Sequence, residues 1–434
     1  MDAVGGQAGR RVVVTGLGLA TALGLEVEQN WRKALAGVSG VCSIELGWAK
    51  KSPVRAAAMV CEDDWRTIGA EFPSEAQSEG ERRTLFALWA ARKALQDARV
   101  EHGGQDCARF GVALGAGLGV NRLEDISRWL SNDKKFDVLR FSQAQAGQIE
   151  RDSVIRNNSS APASLIARKF GLTGFNTTVT AACASATLAL GSAYRAIQRG
   201  QADVVVAGGA DSMINPVGLV FFVLLGSAAV SPAEPQSLCR PFDRKRSGLV
   251  MGEGAGMAVL EEESRAVARG ARIYAEVAGF ASTMDAWRLT APHPEGAGAQ
   301  RCMSLALDDA GMLPEQIDYI NAHGTSTKLN DAAETSAIRN LFRSPPPVSS
   351  SKSMIGHLLA GSGGPEFAFT VLSVAQDRIH PTINLSSPDP KCDLDYVANT
   401  GREKVVRAAL SNSFGFGGQN ATIVVKKYCG QGCP

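Results

Sequence analysis

The sequence comprises 434 residues, 45% of them hydrophobic and 20% charged, enough to bury a substantial core and too many for one small domain. A formal net charge of +2 supplies no global basic field for nucleic acid, and no run of about 18 apolar residues marks a membrane span. The stretch from Met1 to Arg11 is Gly-rich and polar without the apolar segment of an export leader, and the nine cysteines lack zinc-site or disulfide spacings, so reduced thiols in the cytoplasm are expected.

Short β-rich runs alternate with helical patterns along the chain, which predicts α/β layering. Val12 to Gly16 reads as a first strand. Leu85, Leu88, Trp89 and Leu95 share one helix face, and Phe110 to Leu114 comes next as a strand. The run Thr177 to Ala182 then meets Cys183, after which Ala186, Leu190, Ala193 and Ile197 mark another helix face before the strand Asp203 to Ala207. The order returns later. Tyr274 to Ala278 reads as a strand, a helix ends at Ala306 to Ala310, and Ile317 to Ala322 is a strand. Val348 to Ser351 leads to His357 and the apolar stretch Phe367 to Ala375. The chain therefore reads as internally duplicated. If the halves pack about a pseudo-twofold axis, their strand-to-helix turns face one cleft and bring Cys183 to His357. Two ordinary α/β domains whose turns never meet would give the same periodicity.

Four segments carry candidate chemistry. Cys183 sits between a strand and a helix among small residues, where backbone N–H groups and the positive helix end favour thiolate; a buried, inert thiol fits the segment equally well. His323 ends a strand in Asn-Ala-His-Gly-Thr-Ser-Thr, and His357 comes after Gly356, which permits an unusual backbone angle. Either histidine alone also reads as a structural hydrogen-bonder. Asn412 to Gly418, a glycine-rich turn ahead of the strand Ala421 to Val425, reads as a hairpin loop or as a mobile gate that offers an N–H to an oxyanion. It lacks the Lys and Ser/Thr of a phosphate loop, so nucleotide binding loses support. Cys429 and Cys433 lie in a loose terminal tail and take no role.

Together these segments resemble the elongating β-ketoacyl-acyl-carrier-protein synthases of type II fatty-acid and polyketide assembly, in the thiolase superfamily, from about residue 11 to 428. The resemblance is carried by Cys183, by His-Gly-Thr-Ser-Thr from His323, and by Lys-Ser-Met-x-Gly-His ending at His357. Asn-Ser-Phe-Gly-Phe-Gly-Gly from Asn412, Arg-Pro-Phe-Asp from Arg240 and Gly-Glu-Gly-Ala-Gly from Gly252 complete it.

The resemblance implies a thiolase fold: two duplicated α/β halves forming a five-layered αβαβα core. Residues 11–265 would carry the nucleophile, residues 266–428 the histidine pair, and residues 429–434 a tail. It implies an acyltransferase in which Cys183 holds the acyl group and malonyl-carrier protein is decarboxylated and condensed with it. His323 and His357 would be hydrogen-bond donors to the enolate. Lys352 would orient the site by its charge, together with Glu334, and Asn412 would give structural support. The N–H groups of Cys183 and Phe416 would form the oxyanion hole, and Phe416 would gate the acyl pocket. Thr325, Thr327 and Phe414 would contact the substrate arm. No metal or bound cofactor is implied. The partners implied are an acyl carrier protein, met by Arg240, Lys134 and Lys135 within the clusters Arg240, Arg244, Lys245, Arg246 and Lys134-Lys135, and a second ketosynthase-like subunit in a homodimer or heterodimer.

Departures from the pattern bear on substrate more than on reaction. Phe175 stands for Pro, Ser247 for Asp, Lys328 and Asn330 for Pro and Gly, and Gln419 for Thr. Gly363-Gly364-Pro365 interrupts the helix expected after His357 unless Pro365 opens it, and Glu150 to Asn158 is more polar than an acyl channel or dimer face calls for. A thiolase would need a second catalytic cysteine, an initiating synthase an Asn in place of His357, and a cysteine hydrolase would leave the duplication unexplained. A chain-length-determining partner subunit would lack Cys183.

Overall fold

The computed structural model describes residues 10–45, 47, 52–78, 81–102, 105–119, 127–144 and 157–430. The polar segment from Glu150 lies outside them up to Arg156, as does Cys433.

Ten strands build the main sheet: β1 (Val12–Ala20), β2 (Phe110–Ala116), β3 (Asn176–Val179), β4 (Val204–Ser212), β5 (Glu253–Glu262), β6 (Ala275–Met284), β7 (Tyr319–Asn321), β8 (Val348–Ser349), β9 (Ala408–Gly415) and β10 (Gln419–Lys426). Their order is β8-β7-β9-β10-β6-β1-β5-β4-β2-β3. Read outward from the centre, each half runs first, fifth, fourth, second and third strand, and the pairing senses also match. In each half the first, fifth and fourth strands are antiparallel neighbours and the fourth, second and third are parallel. The halves join where Val12–Val14 pairs with Ala275–Val277, so the duplication read from the element order is present in the topology.

Seven helices frame the site and the core: α1 (Arg82–Ala98), α2 (Ser185–Gln198), α3 (Pro216–Leu224), α4 (Ala297–Ala310), α5 (Lys328–Leu341), α6 (Lys352–Ile355) and α7 (Gly363–Gln376). Helix α1 covers β1, β5 and β4 on one outside, and α4, with α5 packed against it, covers β6 and β10 on the other. Helices α2 and α7 pack on each other between the half-sheets. This is the expected five-layer stack, and its three largest apolar clusters follow the layers. Leu190, Ala193 and Ile197 meet Phe367, Val371 and Val374 in the middle. Leu85, Leu88 and Leu95 pack over Val112 and Leu114 on one side, and Met303 and Ile338 over Ile320 on the other. Strands buried on both faces explain why Val204 to Ala207 is a continuous apolar run without alternation. A middle-layer truncation such as Leu190→Ala costs roughly 2–5 kcal/mol.

Helix α2 lies so close to the sheet that a Cβ on Gly115 would sit 2.3 Å from the Ala186 nitrogen. Only glycine there lets the helix start, and Cys183 with it, settle against the end of β2.

Two expectations change. Asn412 to Gly415 belong to β9 and pair across a hairpin with Gln419 to Thr422, leaving Phe416 to Gly418 as the turn. Pro365 does not interrupt α7. It is the third residue of that helix, where its missing N–H has no intrahelical partner to lose. The Gly-Glu-Gly-Ala-Gly segment opens β5, a ten-residue strand that residue pattern alone does not disclose.

Candidate active site

The chain leaves β3 at Val179 and turns into α2 through Ala182, whose φ of 46° is left-handed. That conformation costs an alanine roughly 1 kcal/mol or more. Ser185 holds the turn: its hydroxyl accepts from the Ala181 N–H at 2.8 Å and donates to the Ala182 carbonyl at 2.7 Å. Cys183 is thereby fixed with 5% exposure. Burial pushes its thiol up to about 11, against the opposing pull of the Lys352 charge and the Phe416 N–H beside the sulfur. Desolvation of the charged sulfur outweighs those two pulls, so burial sets the direction of the shift.

His323 lies just after β7. Its backbone N–H and that of Gly324 donate to the two oxygens of Glu334, at 2.9 and 2.8 Å. Gly356, at φ 66°, turns the chain out of α6, and the His357 N–H then donates to the Val250 carbonyl at 2.8 Å. One ring nitrogen of each histidine and the Cys183 sulfur lie within 4.8 Å of one another, and the two rings meet edge-on at 5.3 Å. The turns of the two halves face one cleft, and the reading in which they never meet is excluded.

The hydrogen bonds fix the tautomers. Lys352 Nζ, which can only donate, lies 3.2 Å from His323 Nδ1, and the Leu359 N–H donates to His357 Nδ1 at 3.1 Å. Both Nδ1 atoms therefore accept, and in each neutral ring the proton sits on Nε2. Burial, and then the Lys352 charge, hold both rings well below the ordinary histidine range, with His357 adding to the effect on His323. At neutral pH the site presents two uncharged N–H donors.

Lys352 is fully buried. Its ion partner is Glu366, with the His323 carbonyl at 2.7 Å and His323 Nδ1 completing three acceptors for three N–H groups. The expected tie to Glu334 is thus corrected: Glu334 holds backbone N–H groups, and Asn412 Nδ2 stands 3.4 Å from its oxygen. Burial raises both Glu334 and Glu366 to about 7. Sequence reasoning missed Glu366, which reads as an ordinary first-turn acid. It also missed Ser362, whose hydroxyl is 2.7 Å from His357 Nδ1, and Asp211, which accepts from the Ala360 N–H at 3.0 Å.

Above the triad a cleft of about 580 Å³ is lined by Thr325, Thr327, Phe414 and Phe416, among others. The Phe414 ring is 5.9 Å from His323. Phe416 stacks on Phe222 of α3 at 6.5 Å. The two threonine hydroxyls are 2.9 Å apart, and Thr327 also caps α5 by accepting from the Asn330 N–H.

Residues 9–266 match the family model for the β-ketoacyl synthase N-terminal domain, and residues 274–386 that for the C-terminal domain. The chain belongs to the β-ketoacyl synthase family. It is 39% identical over 423 residues to a 3-oxoacyl-[acyl-carrier-protein] synthase 2 of Synechocystis, covering 96% of this chain and 98% of that protein. It is 37% identical to one of Staphylococcus aureus, covering 96% and 99%. Among solved structures, a β-ketoacyl synthase of Burkholderia phymatum superposes with TM-score 0.85 at 32% identity, over 97% of this chain and 100% of that one. A structure described as a type II PKS acyl-carrier protein in complex with its ketosynthase bound to the hexaketide gives TM-score 0.86 at 32% identity, with the same coverage.

In this synthase the basic cluster at 240–246 divides. Arg246 is buried, held by Asp389 at 2.6 Å and Asp331 at 3.4 Å, and donates to the Thr327 and Lys328 carbonyls. The Arg240 side chain is 17% exposed and turned to Asp243 at 3.3 Å. Only Arg244 and Lys245 of this group face solvent. The cluster as expected is corrected, because buried carboxylates capture two of its four cations. Lys134 and Lys135 are exposed, the latter 3.2 Å from Asp133.

The Cys-His-His set has the donor types of a soft metal site. However, ligation through Nε2 needs that nitrogen deprotonated, while the donors facing Nδ1 put the proton there, and the buried Lys352 charge opposes a cation. None of the eight cysteines among the described residues forms a disulfide, and no helix among those residues is long and apolar enough to cross a membrane.

Proposed function

We propose that this synthase joins an acyl group carried on Cys183 to the two-carbon unit of malonyl-carrier protein, releasing carbon dioxide and β-ketoacyl-carrier protein. The observation that carries the reading is the pair of Nε2–H donors beside a buried thiol, with both Nδ1 atoms already engaged. Such rings cannot act as bases toward Cys183. They are placed to hydrogen-bond an oxygen on which charge develops.

In the first half-reaction the Cys183 sulfur attacks an acyl thioester, and its proton leaves with the departing pantetheine thiol. In the second, the malonyl thioester oxygen accepts from His323 and His357 while the carboxylate carbon leaves as carbon dioxide. The enolate carbon attacks the Cys183 thioester, whose oxygen the Phe416 and Cys183 N–H groups stabilise, and the sulfur departs and regains a proton. The electron sink is the thioester itself. Thr325, Thr327 and Phe414 contact the arm that carries it, Phe416 gates the acyl pocket by leaving Phe222, and Glu334, Asn412 and Lys352 hold the histidines.

The protein acts in the cytoplasm as a dimer with a second ketosynthase-like chain. Exposed Phe221 and Leu224 on α3 and the presence of a chain length factor beside a similar ketosynthase support that assembly. Lys134, Lys135, Arg244 and Lys245 are the exposed cations that meet the acidic carrier, with Arg240 as a lesser contributor. Residues 11–265 and 266–428 are the two functional halves.

The test is separate measurement of acyl transfer and carbon dioxide release. Peptide mass spectrometry should find one acyl group on Cys183, and Cys183→Ala should keep decarboxylation. Acylation elsewhere, or none with any chain length, defeats the proposal.

A further inference from the structure

Cys183, His323 and His357 are almost fully buried, so the solvent end of the cleft lies at its exposed residues, among them Lys328, Arg288 and Leu289. Lys328 occupies a position where the resembled pattern has Pro. It is the first residue of α5, and Arg288 comes from the stretch after β6. The Arg288 guanidinium lies 5.8 Å from the Trp287 ring centre. Among the described residues neither cation has a carboxylate partner. Asp285, the one acid among the residues lining the cleft, is already engaged: it accepts from the His293 N–H at 2.9 Å and from Asn420 Nδ2 at 2.7 Å. The cleft thus presents a neutral, donor-lined floor and two uncompensated positive charges at its mouth.

We propose that Lys328 and Arg288 are specificity-determining residues that take the phosphate of the pantetheine arm on which the thioester arrives. This rests on the reaction proposed above. An arm whose sulfur reaches Cys183 must leave through the mouth, where a phosphate monoester or diester finds two cations, while the one lining carboxylate, Asp285, is turned to its own donors. A carrier protein and coenzyme A both supply this group, and the chemistry recognised is the phosphate they share.

Carbon dioxide release is measured with malonyl-4′-phosphopantetheine and malonyl-pantetheine, which differ only in the phosphate. The wild-type KM should be roughly five- to tenfold lower for the phosphorylated compound at low salt, two exposed ion pairs being worth that much together. The KM ratio should shrink at high salt. It should fall toward one in Lys328→Ala with Arg288→Ala and survive in Lys328→Arg. Malonyl-coenzyme A and malonyl-carrier protein are run alongside. A KM rise with both in the double variant assigns the phosphate itself, whereas a rise with the carrier alone overturns the proposal and makes the cations a protein-docking contact. Equal wild-type KM values for the two small thioesters overturn it while leaving the reaction standing. Absence of decarboxylation with every thioester removes the reaction and this proposal together.

Discussion

The Lys352–Glu366 pair offers the sharpest test of how the site is held. The ammonium is fully buried, and each of its three N–H groups has an acceptor in Glu366, the His323 carbonyl or His323 Nδ1. Removing one member of such a pair leaves the other desolvated without its counter-charge, so that it stays charged at a cost or must change its protonation, which costs about 3–5 kcal/mol. Lys352→Met and Glu366→Gln should each fall in that range. The double variant removes both charges and strands neither, so its cost should lie at least about 2 kcal/mol below the sum of the two. Urea unfolding at fixed protein concentration gives the four stabilities of the cycle. Function should not recover with stability. Without Lys352, nothing fixes the proton of His323 on Nε2, and decarboxylation should fall roughly tenfold or more, approaching the loss of a whole donor. Costs that add to within about 0.5 kcal/mol would refute the coupling, and full decarboxylation by the double variant would refute the tautomer argument.

His323→Ala and His357→Ala should each lose most carbon dioxide release while at least one still acylates Cys183; undiminished release in both would remove their role. Because burial raises the Cys183 thiol to about 11, its alkylation rate, tracked by peptide mass, should climb about tenfold per pH unit from neutrality upward, and a plateau below pH 8 would contradict the assignment. His380, fully buried against Tyr319 and the Pro381 carbonyl, is lowered by burial from 6.5 to about 4. A depressed histidine stabilises fully above its unfolded value and loses that contribution as pH falls toward the folded one. Wild type should therefore lose about 3 kcal/mol more than His380→Gln between pH 6.5 and 4 in urea titrations; parallel curves would argue against it. Reversing Lys134 and Lys135 to Glu should raise KM for carrier-bound substrates several-fold at low salt but not for malonyl-pantetheine, whereas equal effects on both would place docking elsewhere.

The range of each interaction decides whether the sequence discloses it or hides it. Cys183 is legible because a β-rich run, small residues and a helical face lie within about twenty residues of one another. The duplication is legible because element order is a one-dimensional property. The motifs around His323 and His357 carry the rest of the triad. Where the charge of Lys352 goes is hidden. Glu334 and Glu366 both lie in early helical turns and read alike, and only the packing of α7 beneath β7 decides that one pairs with the ammonium and the other holds the His323 and Gly324 N–H groups. Arg246 misleads for the same reason: four basic residues within seven positions look like a surface patch until Asp331 and Asp389, from distant segments, are brought against one of them.

The resting state of the thiol turns on the same contest. A helix start lowers a cysteine pKa through partial charges of its first turn, and those are visible in the order strand, cysteine, helix. Desolvation raises it through everything that excludes water, including the hairpin carrying Phe416 more than two hundred residues away in the sequence. At 5% exposure desolvation prevails over the Lys352 charge and the Phe416 N–H, and the first half-reaction then starts from a thiol flanked by two donors. A substrate carbonyl held by the Phe416 N–H supplies what the resting site lacks, because charge leaving the sulfur is received by an oxygen already hydrogen-bonded. Reactivity toward a thioester in this cleft should therefore exceed reactivity toward a simple alkylating agent by more than their solution difference, since only the thioester places an oxygen where the hairpin donates.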